Sequence, residues 1–159
     1  MSEIIYLHGV HEATADAKGR FMLPGSFRKQ LEKVLEEGFI IKRSIFSKAL
    51  ELFPKAAWND RAKDLNHLSR YNREHMEYMR VFTSGLQGVE LDSAGRIQIP
   101  KELIDFAGIK KDITCAAISD TIEIWDTKSY NKFIKDKSVN FEEMTERLLG
   151  KKVLIKDDE

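Results

Sequence analysis

Asp16-Ala17-Lys18-Gly19-Arg20-Phe21-Met22-Leu23-Pro24 decides how this chain is read, because Asp92-Ser93-Ala94-Gly95-Arg96-Ile97-Gln98-Ile99-Pro100 repeats its skeleton 76 residues later. Each copy has Asp, two spacers, Gly, Arg, three strand-forming residues and Pro. Such an internal repeat dictates architecture and is read before any other pattern. In each copy Asp16 or Asp92 can hydrogen-bond the backbone two residues on, and Gly19 or Gly95 can take a positive φ without steric cost. These four residues are expected to orient the turns. The strand that follows stops at proline, which has no N–H to give to a ladder.

Working outward, the first unit opens on an apolar, β-prone stretch from Ile4 to Gly9, expected as a strand. After Pro24, Phe27, Leu31, Val34 and Leu35 fall on one stripe of a helix that Gly38 should end. Phe39-Ile40-Ile41-Lys42-Arg43 and Ala49-Leu50-Glu51-Leu52-Phe53 read as two more strands. The second unit repeats the order with Gly88–Leu91, Arg96–Ile99, a helix carrying Leu103 and Ala107 closed by Gly108, and a hairpin of 113–118 and 121–125 turned by Ser119-Asp120. Between the units, 56–68 and 72–82 read as helices, with Trp58, Met76, Met79 and Phe82 as core or partner-helix positions rather than a cofactor site. Two more helices, 128–137 and 141–149, follow.

The division is therefore 5–54 for the first unit, 55–84 for linker helices, 85–126 for the second unit, 127–150 for C-terminal helices and 151–159 for a charged tail. A unit of about 45 residues buries its own core poorly. The two copies are expected to pack on each other as a pseudo-dimer with interleaved strands, in a mainly β, α+β fold.

Composition narrows the function. Hydrophobic residues at 42% and charged residues at 33% describe a globular chain. Lys and Arg number 26 and so do Asp and Glu, so the formal net charge is zero. That argues against coating nucleic acid by bulk charge but leaves room for a local basic patch. The lone Cys115, set among apolar residues, is expected to be a buried, inert thiol, with no disulfide and no cysteine zinc site. No secretory signal or membrane-length apolar run is present, and the expectation is a soluble cytoplasmic protein. No Gly-x-Ser-x-Gly, no phosphate loop and no metalloprotease His pair occurs, so no enzyme, cofactor, metal or small-molecule substrate is expected.

Strand alternation carries the site reading. With Ile97 and Ile99 facing the core, Arg96 and Gln98 face outward, and Arg20 holds the equivalent place. An arginine at a strand start beside a tight turn offers a bidentate fork to phosphate or guanine, and Lys18 adds a cation. The competing reading makes Asp16–Arg20 and Asp92–Arg96 plain surface ion pairs of little net energy.

The doubled Asp-x-x-Gly-Arg unit, with Phe27, Arg28, Leu103, Ala107, Gly108, Trp58 and Glu123-Ile124-Trp125 in support, resembles the MraZ family, whose units are of the AbrB/SpoVT swapped-hairpin type. The resemblance covers roughly residues 5 to 150. It implies an AbrB-like swapped-hairpin barrel of two tandem repeats. It also implies a transcription factor of the bacterial division and cell-wall cluster that represses its own operon, in the cytoplasm and on the nucleoid. Its partners would be double-stranded promoter DNA with direct repeats and further copies of itself, in a ring-like homo-oligomer. The expected DNA-binding residues are Lys18, Arg20, Arg28 and Arg96. The second copy departs from the pattern at Ile104, where the first has Arg28. The alternative is an antitoxin-like or scaffold interaction module that keeps the barrel without reading DNA.

Overall fold

The structure is a computed structural model and describes residues 4–157, with the side chains of 151–157 left aside. The chain divides into two compact units, Met1–Thr127 and Lys128–Glu159. The first holds all the strands: β1 (Val10–Thr14), β2 (Arg20–Met22), β3 (Phe39–Arg43), β4 (Leu50–Pro54), β5 (Gln87–Val89), β6 (Arg96–Gln98), β7 (Asp112–Ile118) and β8 (Thr121–Asp126). Its helices are α1 (Gly25–Gln30), α2 (Lys55–Ala62), α3 (Arg73–Thr83) and α4 (Lys101–Ala107). The second unit holds α6 (Phe141–Asp157) and all of α5 (Thr127–Ser138) but its first residue. Helical backbone therefore continues into the segment expected as a charged tail.

The strands interleave between repeats. One antiparallel sheet has the order β1-β7-β8-β4-β3-β5, and β2 pairs with β6 in a separate two-stranded ribbon. Exchanging each strand of the first repeat for its counterpart in the second, β1 for β5 through β4 for β8, returns the same order reversed. The pairing is thus two-fold symmetric, and the axis passes through Phe21↔Ile97 in the ribbon and Glu51↔Glu123 between β4 and β8. First-strand swapping follows: β1 pairs with β7 of the other repeat, and β5 with β3. The ladders form an open sheet and a ribbon; no ring of hydrogen-bonded strands closes among the described residues.

Burial explains the swap. A single apolar cluster draws on both repeats, with Phe21, Leu23, Phe27, Leu31, Ile41, Leu50 and Leu52 from the first and Ile97, Ile99, Leu103, Ile113, Ile122 and Ile124 from the second. Phe21 and Ile97, on the inner face of the ribbon, are fully covered. Each such side chain contributes roughly 1.5–3 kcal/mol when removed from water. Neither repeat alone could cover them, since each ribbon strand is only three residues long. Cys115 lies in this cluster, and burial pushes its thiol up to about 12.

Two details differ from the sequence reading. Residues 4–9 form no strand; the first strand is β1, which starts at Val10, six residues after the start of the apolar stretch. Gly9 at φ 118° breaks the extended run, while Leu7 still packs in the core and donates its N–H to Ser119 O at 2.7 Å. β1 escaped notice because its inward positions are His11 and Ala13, weakly apolar. The helix after Pro24 ends at Gln30, and a 3₁₀ turn at Leu35–Glu37 precedes Gly38 at φ 83°. Leu31 and Val34 stay buried even so. All three prolines stand immediately before helices, at Pro24, Pro54 and Pro100, with φ between −51° and −56°. Proline's fixed φ and missing N–H suit the point where a strand hands over to a helix.

Candidate nucleic-acid interface

The two repeated motifs fold into nearly superimposable clamps. Asp16 Oδ1 accepts the N–H groups of Lys18 and Arg20, each at 2.9 Å, and Oδ2 accepts Arg20 Nε–H at 2.8 Å. Asp92 does the same with Ala94 N, Arg96 N and Arg96 Nε, all at 2.9 Å. Gly19 and Gly95 take φ of 79° and 84° and donate to the Asp16 and Asp92 carbonyls. The backbone N–H of Arg20 or Arg96 holds each aspartate below the ordinary carboxylate value; desolvation opposes it, and that arginine's own side chain adds to the lowering. Both carboxylates are therefore ionised at neutral pH and act as orienting acceptors.

The clamp sets which edge of each arginine is spent. Nε faces the aspartate, while the two terminal nitrogens make no hydrogen bond among the described residues. Both arginine side chains are about a third exposed. Such a fork matches the O6 and N7 acceptors of guanine, or two phosphate oxygens. The ion-pair geometry and the reading geometry thus coexist in one side chain.

The register of β2 against β6 then builds a surface. Arg20 lies opposite Gln98, Phe21 opposite Ile97, and Met22 opposite Arg96. With Phe21 and Ile97 inside, the outer face presents Arg20, Met22, Arg96 and Gln98. Ladder geometry places the two diagonal arginines about 7–8 Å apart. Lys18 is exposed at the first turn, and its carbonyl accepts Gln98 Nε2–H at a long 3.4 Å.

Arg28 joins the second turn, not the first. A Cβ placed on Gly95 would lie 3.1 Å from Arg28 Nη1 and 3.4 Å from Met22 Sδ. Its Nε is shielded and has no hydrogen-bond partner. Ile104 is its two-fold counterpart, and its Cδ1 would lie 2.4 Å from a Cβ on Gly19. The departure noted at Ile104 is thus a packing contact on the first turn. Each turn ends with two cations: Lys18 and Arg20 at one, Arg96 and Arg28 at the other. Four cations against Asp16 and Asp92 give a locally basic patch in a neutral chain.

Elsewhere a cavity of about 490 Å³ lies beside Phe53, Trp58, Tyr78 and Phe82. Its Lys42 pairs with Glu51 at 3.3 Å, and its Arg61 with Asp120 at 2.9 Å. Trp58 and Phe82 stack there, half-buried and outside the main apolar cluster, and α3 buries none of its residues fully. Among the described residues no group of three or more His, Cys, Asp or Glu is placed to hold a metal ion. Among the described residues no helix is long and apolar enough to cross a membrane.

Comparison with known proteins bears on what carries this surface. The family model described as "MraZ protein, putative antitoxin-like" matches residues 6–80 and 82–152. The chain belongs to the MraZ family. The two matched segments each contain one clamp, so the family's tandem units coincide with the two-fold repeat of the fold. A relative from Christiangramia forsetii, named transcriptional regulator MraZ, is 40% identical over 147 residues, covering 92% of this chain and 95% of the relative. One of the same name from Flavobacterium psychrophilum is 39% identical over 151 residues, covering 95% and 94%. Among the ribbon residues, Met22 was not singled out by sequence. Its exposure emerges only once the strand's inner face is assigned to Phe21.

Proposed function

We propose that this MraZ-family chain is a sequence-specific DNA-binding transcriptional regulator that lays ribbon β2–β6 into the major groove. The observation that carries the proposal is the outer face of the ribbon, where two clamped arginines with unspent forks stand beside Gln98 and Met22. A two-stranded antiparallel ribbon is one of the two elements the major groove admits. Arg20 and Arg96 read guanines, and Lys18 and Arg28 take flanking phosphates. The names of the relatives support the regulatory role.

Four cations per copy release few counterions, with a log-log salt slope of roughly −4 at most. A single copy therefore binds weakly at physiological salt. Tight binding comes from several copies on repeated promoter elements, through effective concentration. This is the role proposed for the homo-oligomer, acting in the cytoplasm on nucleoid DNA as a repressor of its own operon.

The test is equilibrium binding to the DNA upstream of its own gene and to a shuffled duplex, across a salt series. The expected result is at least tenfold preference for the true site, with affinity falling steeply as salt rises. Equal, feeble binding to both would overturn the proposal and favour the interaction module that the family description also suggests.

A further inference from the structure

We propose that the cavity beside Phe53, Trp58, Tyr78 and Phe82 is a binding site for a small organic cation, a quaternary or alkylated ammonium carried on an apolar body. No residue of ribbon β2–β6 lines it, so the inference stands apart from DNA reading.

Aromatic rings form the wall. Phe53 and Trp58 meet edge to face with centroids 5.6 Å apart, Trp58 and Phe82 stack at 6.3 Å, and Tyr78 tilts against Phe82 at 5.8 Å. None of the four belongs to the main apolar cluster, and Tyr78 is 48% exposed. The negative face of such a ring attracts a cation within about 6 Å of its centroid. The chain itself uses this wall so. Lys42, buried, holds its Nζ 4.7 Å from the Phe82 centroid, and the Arg61 guanidinium lies 5.8 Å from that of Phe53. The cavity's volume of about 490 Å³ falls in the range of roughly 300–1,000 Å³ that holds small ligands.

Charge decides the ligand class. The charged lining residues are Lys42 and Arg61 against Glu51, Asp64 and Glu74. Both cations are committed, Lys42 to Glu51 and Arg61 to Asp120. Asp64, in a 3₁₀ turn at Lys63–Leu65, and Glu74, in the first turn of α3, are exposed and enter no ion pair among the described residues. His75 adds no charge, because its Nδ1 accepts the Ser69 N–H at 2.9 Å. An anion would meet two carboxylates and two cations already paired. An ammonium meets two open carboxylates and a wall of ring faces. The arrangement also occurs in one repeat only. Glu51 and Glu123 face each other on the two-fold axis; across its own hairpin Glu51 meets Lys42, whereas Glu123 meets Ala116. The expected stoichiometry is one ligand per chain.

The test follows the indole N–H resonances of Trp58 and Trp125 by NMR while the full chain is titrated with benzyltrimethylammonium, benzyl alcohol or phenylacetate. Trp125 is the internal control, since it does not line the cavity and its Nε1–H donates to Glu123 Oε1 at 3.1 Å. Benzyltrimethylammonium is expected to shift Trp58 along a saturable one-to-one curve and leave Trp125 in place. Benzyl alcohol should bind more weakly, and phenylacetate more weakly still. The double variant Asp64→Asn, Glu74→Gln should bind the cation roughly three- to tenfold more weakly, as loss of two exposed charge contacts implies. The charge-keeping pair Asp64→Glu, Glu74→Asp should bind it nearly as the parent does. Both positions are exposed, so all variants should keep the parent's circular dichroism spectrum. Phenylacetate binding as tightly as benzyltrimethylammonium, the neutral variant binding the cation as the parent does, or no saturable shift at Trp58 would each overturn the inference.

Discussion

Replacing Gly19 by alanine is expected to destabilise the protein by about 2–4 kcal/mol, and Gly95→Ala by about half as much. Both residues sit in the left-handed region, φ 79° and 84°, where a side chain costs roughly 1–2 kcal/mol. The two differ in what an added Cβ meets. At Gly19 it would lie 2.4 Å from Ile104 Cδ1 and 2.9 Å from the carbonyl oxygen of Ile99, which accepts no such approach without moving backbone. That strand also carries the Ile99 N–H to Gly19 O bond across the two repeats. At Gly95 the nearest atom is the end of the Arg28 side chain, at 3.1 Å, which can swing aside. Denaturant unfolding of the two variants checks this ordering. Equal losses would show that the turns are not distinguished by Ile104 and Arg28 in the way described.

The second large effect concerns binding. Arg20→Ala should weaken binding to the specific duplex by roughly 1–3 kcal/mol, the range for a bidentate base contact, and should bring specific and shuffled affinities together. Arg96→Ala should do nearly the same, because the Asp92 clamp reproduces the Asp16 clamp. Lys18→Ala should weaken both duplexes alike and flatten the salt slope by about one unit, as a phosphate contact does. If Arg20→Ala binds its site as tightly as the parent, the fork left open by the clamp is not a reader. If Arg20→Ala is damaging and Arg96→Ala silent, the two-fold equivalence holds for the fold alone.

Much of this architecture was legible because the motif is written twice. The clamp is local: Asp, Gly and Arg within five residues specify the turn, so it could be read without tertiary information. The same holds for the hairpin at Ser119-Asp120 and for the stop at Gly108, which adopts φ 63°. What resisted reading is set by contacts distant in sequence. The pairing of β2 with β6 joins residues 76 apart, and three-residue strands carry too little pattern to announce a partner. Arg28 looked like a companion of Arg20 from its position in the first unit, yet the swap carries it onto the Gly95 turn. Ile104 looked like a missing cation; packed on Gly19, it fills the space that Arg28 fills opposite. β1 was hidden because its buried side is His11 and Ala13, while the more apolar run before it contains Gly9 and goes irregular.

The central claim, that ribbon β2–β6 enters the major groove through Arg20 and Arg96, is tested most directly by methylation interference at guanine N7 on the upstream duplex. N7 lies only in the major groove and is one of the two atoms an arginine fork takes. The account expects methylation of two guanines in each element to block binding by the parent protein, with the block at one of them lost in Arg20→Ala. Undiminished binding to duplexes methylated at every guanine of the element would contradict it.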